Sequence, residues 1–177
     1  MRAKEFFCIF IDIQLDLIES FSNLKTHTRL TNFDQMIEKI IFDNLVLGII
    51  IRSQFKKDGI EFFTNDEDSQ QLGYMNRPAG YVIQPHSHNL VPRKVHLTQE
   101  VLFIKSGKVR VDFYDNHHKY VKSTVLNGGD VILLADGGHG FKMLEPSEII
   151  EVKQGPYCGD KDKIRIDTID EKYIVFD

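Results

Sequence analysis

Residues 85–100, PHSHNLVPRKVHLTQE, gather His86, His88, His96 and Glu100 into one short stretch of a chain that has seven histidines in all. Neutral imidazole is the commonest protein ligand for first-row divalent metals, and a nearby carboxylate supplies the negative charge that helps such a site hold a dication. On a β-strand His86 and His88 point to the same face because successive side chains alternate, so both rings can turn toward one ion. Glu100, at the start of the next apolar run, offers the carboxylate. A fourth donor must come from His27, His96, His117, His118 or His139. His139 sits in Gly137-Gly138-His139-Gly140, directly after the apolar run 131–134, where the glycines allow a backbone path that turns the imidazole inward. His117 and His118 lie in Asp115-Asn116-His117-His118-Lys119, which reads as an exposed hairpin tip.

The elements that must position these groups are mostly strands. At 177 residues the chain suits one domain with one sizeable core. In residues 9–17 Ile9, Ile11, Ile13, Leu15 and Leu17 alternate with Phe10, Asp12, Gln14 and Asp16, the period of a half-buried strand. Phe33, Met36, Ile37, Ile40 and Ile41 fall at helical spacing behind Asn32 as N-cap, which predicts one short amphipathic helix. Beyond it, short apolar or alternating runs predict strands at 46–52, 60–64, 71–75, 80–84, 101–105, 109–114, 120–126, 131–134, 141–144 and 149–154. Turn residues separate them: Lys57-Asp58-Gly59 suits a hairpin, 65–69 a solvated loop, and Ser106-Gly107-Lys108 and Asn127-Gly128-Gly129-Asp130 tight turns. The tail from Gly155 onward is polar and loop-like, with a possible last edge strand at 173–176. This pattern predicts an all-β sandwich or barrel.

Composition narrows the partners. Lys plus Arg number 22 and Asp plus Glu 26, for a formal charge of −4, without a block of like charges, so nucleic acid is not an expected partner. The apolar stretch 6–11 is too short for a signal peptide core or a membrane span, and a cytoplasmic protein without membrane association is expected. Cys8 and Cys158 lack a CxxC partner and read as two unpaired thiols.

The order of the chemical residues adds a resemblance. Gly80, His86-x-His88, Glu100 and Gly107, followed by Gly129-Asp130, a hydrophobic run and a glycine-flanked His139, resemble the two sequence motifs of the cupin superfamily across residues 80–157. The resemblance implies an all-β, cupin-type jelly-roll β-barrel with an N-terminal strand and one short helix. Residues 1–177 would form a single domain: 1–70 an N-terminal extension of the barrel, 71–157 the barrel core with both motifs, and 158–177 a C-terminal tail. It also implies one divalent transition metal per chain (Fe, Mn, Ni, Co or Zn) held by His86, His88, Glu100 and His139. The chain departs from the family at two places. Residues 89–99 form a longer connection than the family usually has, so His96, four residues before Glu100, competes with His88 as second histidine; and Ala135 stands where the second motif usually has proline.

Fold and metal alone leave the reaction open. Such a centre suits first a metal-dependent enzyme, a dioxygenase or an isomerase or lyase, with a non-catalytic small-molecule sensor or a purely structural metal as the alternatives. Catalytic residues are not assigned; Tyr81, Glu145 and His96 are candidates for a base. Arg77, Arg93 and Lys94 are candidate cations at the mouth, and Tyr81, Ile83, Phe103, Val111, Phe113 and Phe141 a candidate apolar lining. The layout also resembles small bacterial cupins of surface-polysaccharide or nucleotide-sugar pathways, which implies a sugar or sugar acid as ligand. The alternating stretch 9–17 leaves an edge that invites strand exchange, so a homodimer is expected.

Overall fold

The computed structural model describes residues 36–176. The expected strand at 9–17 and His27 therefore lie outside the described residues. Among the described residues ten strands form: β1 (Ile37–Phe42), β2 (Leu45–Ile51), β3 (Gly59–Phe62), β4 (Gly73–Asn76), β5 (Glu100–Ser106), β6 (Lys108–Tyr114), β7 (Tyr120–Asn127), β8 (Val131–Leu134), β9 (Gly138–Met143) and β10 (Glu148–Lys153). They make a five-stranded sheet in the order β1-β2-β8-β5-β10, a three-stranded sheet β7-β6-β9 and the hairpin β3-β4, all antiparallel. The fold is all-β, and none of these sheets closes into a barrel among the described residues. No helix among them is long and apolar enough to cross a membrane.

The larger sheets share one core. Leu102 and Ile104 of β5 and Ile132 and Leu134 of β8 meet Val111 and Phe113 of β6, all nearly or fully buried. The other face of the five-stranded sheet is covered too. There Ile49, Ile51 and Leu133 pack against Phe55, Phe63 and Leu72, and the Phe55 ring meets Tyr74 edge-on at 4.8 Å. This second covering explains why the expected helix near Ile37 is instead β1. Ile40 faces the core between the sheets and Ile37 packs half-buried against the second cluster, while Lys39 and Ile41 stay exposed, so the apolar side chains of β1 do not follow a period of two. A bulge between Ile40 and Ile41 breaks the alternation further. The overlooked signal is Asp43-Asn44: both residues have positive φ, 47° and 66°, which is a two-residue hairpin turn joining β1 to β2.

Two other expectations change. The chain turns at Ser53-Gln54 and only bends at Asp58, and Gly59 already opens β3, which pairs with β4, so Lys57-Asp58-Gly59 closes no hairpin. Residues 80–84 form no strand. The segment 77–98 is exposed along its whole length and, after the turn at Gly80, without regular structure. Pro78, Pro85 and Pro92 interrupt it, each without the N–H that a ladder needs.

The chain passes between the large sheets four times, from β5 to β6, β7 to β8, β8 to β9 and β9 to β10. At the first, Gly107 has φ +87° and a side chain there would lie 2.2 Å from the Pro146 carbonyl oxygen. The second, between β7 and β8, is tied by Asp130, which is 2% exposed. Asp130 Oδ1 accepts from the Ser53 N–H (2.8 Å), while Oδ2 accepts from the Asn127 N–H (3.0 Å) and the Arg52 guanidinium (3.0 Å). Arg52 also donates to the Val125 carbonyl at 2.8 Å and to Glu38 at 2.6 Å.

The C-terminal segment lies on the outer face of the three-stranded sheet. Arg110 and Asp112, nearly buried there, form a two-pronged pair at 2.8 and 3.0 Å, and Arg110 reaches both carboxylate oxygens of Glu171. Tyr114 Oη accepts from the Ile169 N–H, and Tyr120 Oη from the Val175 N–H. The expected strand at 173–176 reduces to a single parallel bridge between Ser123 and Phe176. Removing the Asp130 carboxylate leaves several buried donors without acceptors, so Asp130→Ala should cost about 3 kcal/mol, read as a lower urea midpoint.

Candidate metal site

Strand parity brings Glu100 and His139 together. Glu100 opens β5 and shares a face with Leu102 and Ile104, which point into the core between the sheets. On β9 His139 stands opposite Phe113, and Phe141 opposite Val111, so both share the inward face of their sheet. The two side chains thus approach from opposing sheets, and His139 Nε2 lies 3.1 Å from Glu100 Oε2. Their side chains are 26% and 15% exposed, a contact partly withdrawn from water. The Phe141 ring sits 5.4 Å from the imidazole. Gly137 is required just before it: its φ is +67° and a side chain would come within 2.4 Å of the Tyr114 carbonyl oxygen.

The Glu100 carboxyl is held below its usual range. The hydrogen bond from His139 is the chief cause, burial opposes it, and the positive fields of His139, Lys153 and Lys163 assist. A cavity of 1310 Å³ opens beside the pair. His96, Glu100, His139 and Phe141 line it, together with Lys153, Lys163 and Arg165.

The other candidates fall elsewhere. His86 and His88 lie on the exposed segment 77–98 and do not line this cavity. Their rings meet edge to face at 5.4 Å, and His86 Nδ1 lies 2.9 Å from the Gln84 carbonyl oxygen. The structure therefore brings Glu100, His139 and His96 to one cavity and leaves His86 and His88 outside it. Among the described residues no group of three or more His, Cys, Asp and Glu is arranged to hold a metal ion.

His117 and His118 occupy the exposed turn between β6 and β7, where His118 has φ +61°. Of the apolar residues expected to line a site, Phe141 does so. Val111 and Phe113 are sealed in the core, and Tyr81 and Ile83 are exposed. Tyr81 and Glu145 do not border the cavity. Arg77 stacks over Tyr81 at 4.6 Å, and it, Arg93 and Lys94 stay on the exposed segment.

The cations that do line the cavity are Arg110 of β6, Lys142 of β9, Lys153 at the end of β10, and Lys161, Lys163 and Arg165 of the C-terminal segment. Sequence reasoning missed the last three because Lys161-Asp162-Lys163-Ile164-Arg165 has the composition of a solvated loop. Fold and contact together define an all-β protein of two packed sheets with a histidine–carboxylate pair between them. Compared with known proteins, the chain matches no family model, no curated protein and no solved structure.

Because Glu100 titrates lower in the folded than in the unfolded chain, its contribution to stability is present above the unfolded carboxyl range and lost as pH falls through the folded value. The difference in melting temperature between the protein and Glu100→Gln should therefore shrink progressively on acidification below about pH 4.3. Calorimetric scans across that range check it; a difference that grows instead contradicts the assignment.

Proposed function

We propose that the chain is a metal-binding cupin in which His86, His88, Glu100 and His139 hold one divalent transition metal, and that it is a metal-dependent enzyme acting on a small polar metabolite. Sugars, sugar acids and other carboxylates are the substrates this reading favours. The observation that carries it is the Glu100–His139 contact across the two sheets. Donors bonded at about 2.1 Å and at right angles around one ion stand about 3 Å apart, and the observed 3.1 Å fits such a neighbouring pair. Two antiparallel sheets on one core, crossed by the chain at Gly107 and Gly129, support the jelly-roll part of the reading.

The remaining donors come from the segment before β5. Residues 89–99 span at most about 36 Å when extended, ample to bring His86 and His88 to Glu100. His96 already borders the cavity and is the competitor for the second histidine position. A bound divalent ion supplies Lewis acidity toward a substrate carbonyl or, if redox-active, a place for dioxygen. The chain's own residues do the rest: Glu100 and His139 fix each other's orientation, and Phe141 walls one side of the imidazole.

Elemental analysis of protein made without a histidine tag should find one transition metal per chain. His139→Ala and Glu100→Ala should each weaken retention by at least about tenfold. Single alanine variants at His86, His88 and His96 then identify the remaining donors; equal metal content in all five variants contradicts the reading. Oxygen uptake with small carboxylates marks an oxygenase, and isomerised or dehydrated sugar products mark the Lewis-acid reaction.

We further propose a homodimer formed by exchange of the strand at 9–17. Among the described residues β1 is paired on one side only, which leaves an edge for a partner's strand. Light scattering should give twice the chain mass of 20.5 kDa at micromolar concentration; a monomer there removes the dimer.

A further inference from the structure

The C-terminal segment walls the Glu100–His139 cavity without belonging to the core. Residues 161–166, Thr168 and Glu171 line that cavity, yet none of residues 155–176 is buried, and Ile164, Tyr173, Val175 and Phe176 are exposed. A segment that buries so little apolar surface gains little from the hydrophobic effect, so its place depends on polar contacts. Ile169 N–H donates to Tyr114 Oη at 3.2 Å, and Val175 N–H to Tyr120 Oη at 3.0 Å. The Val175 carbonyl accepts from the Ser123 N–H at 2.8 Å. Glu171 bonds Arg110 of β6 at 2.9 and 3.1 Å and Lys142 of β9 at 2.6 Å, so one carboxylate bridges two strands. Ile166 adds an apolar contact: its Cδ1 lies 2.4 Å from where a side chain on Gly138 would begin.

The floor beneath is polar and holds itself together. Arg110 and Asp112 are each 3% exposed and Ser123 is fully buried. Asp112 binds Arg110 through two hydrogen bonds and accepts a third from Ser123 Oγ at 2.5 Å. Lifting the segment therefore strands no unpaired charge, and the apolar core on the other face of β6 stays covered. Water replaces the contacts that are lost, each of which contributes little net stability. A hinge is present as well. Gln154 is still tied through its N–H to the Gln99 carbonyl at 3.3 Å, whereas Gly155 and Gly159 follow it, and Gly159, at φ +67°, has nothing within 4 Å of where a side chain would begin.

We propose that residues 159–176 form a strap that swings as a unit about residues 155–159 while both sheets stay folded, opening the cavity beside Glu100 and His139 to entering molecules, with Glu171 as its clasp. Lids over binding sites are drawn from the parts of a fold with the lowest local stability, and this segment has that character. The proposal rests on reading the cavity as the functional site, and it requires neither a metal nor a particular ligand.

Amide hydrogen exchange by NMR on the full chain tests the motion. The amides of Ile169, Val175 and Ser123 should exchange together, faster than those paired within β6 and β9. Glu171→Gln should speed all three by about fivefold, the upper end for a partly exposed pair, and leave the β6 amides unchanged. Lys142→Ala should act in the same direction, and circular dichroism verifies that both variants fold. Exchange of the three amides only at the rate of β6 overturns the proposal, as does a response to Glu171→Gln that spreads through both sheets. Carbethoxylation by diethyl pyrocarbonate, located by peptide mass after chelator treatment, tests the opening. His139 should react faster in Glu171→Gln while His117 and His118 in their exposed turn react unchanged; a His139 rate indifferent to Glu171 also overturns it. The same reaction without chelator separates the two readings: equal His139 reactivity before and after chelation counts against the metal centre alone and leaves the strap intact.

Discussion

Asp130 accepts three hydrogen bonds from two distant parts of the chain: the Arg52 side chain and the Ser53 N–H just beyond β2, and the Asn127 N–H in the turn that precedes its own strand. This buried carboxylate fixes where the polypeptide leaves the three-stranded sheet and enters the five-stranded one. Since β8 is the neighbour of both β2 and β5, the placement of β8 is passed on to Glu100 at the head of β5. On the opposing sheet β6 holds β9, and with it His139. The 3.1 Å approach of the Glu100 and His139 side chains is therefore the sum of strand registers referred to one anchored crossing. A carboxylate at that place is structural, and its proximity to glycine in sequence reflects the turn it closes.

Much of the strand layout was legible because short alternating runs are bounded by residues with distinct turn chemistry. Gly107 and Gly129 mark crossings where a positive φ is needed, and both fall where the sequence places tight turns. Illegible were the places where tertiary surroundings override the local pattern. Residues 37–42 carry apolar side chains at helical spacing because the strand is bulged and offers single residues to two separate clusters, and only Asp43-Asn44 discloses the hairpin. Residues 80–84 alternate well enough for a strand, but three prolines in the surrounding segment and the absence of a ladder partner among the described residues leave them irregular.

The site divides in the same way. Glu100 and His139 stand on strands whose parity can be reasoned from the sequence, and they meet. His86, His88 and His96 belong to a segment without a ladder, where spacing alone does not fix direction. The C-terminal segment was unreadable for a different reason. Its bonds run to Arg110, Tyr114 and Tyr120, residues some 50 to 60 positions earlier, and its own composition contains no trace of them. Even the buried Arg110–Asp112 pair looks in sequence like ordinary polar alternation; its meaning is that the three-stranded sheet has a second, covered face.

β9 forms one border of its sheet among the described residues, and its composition bears on solubility. An outermost strand with free amide and carbonyl groups is a template for stray pairing between molecules. Here that strand reads Gly-His-Gly-Phe-Lys-Met: two glycines reduce its capacity to template a neighbour, and Lys142 places a charge on it. That composition discourages the fibrillar growth that a Val- or Ile-rich edge would promote.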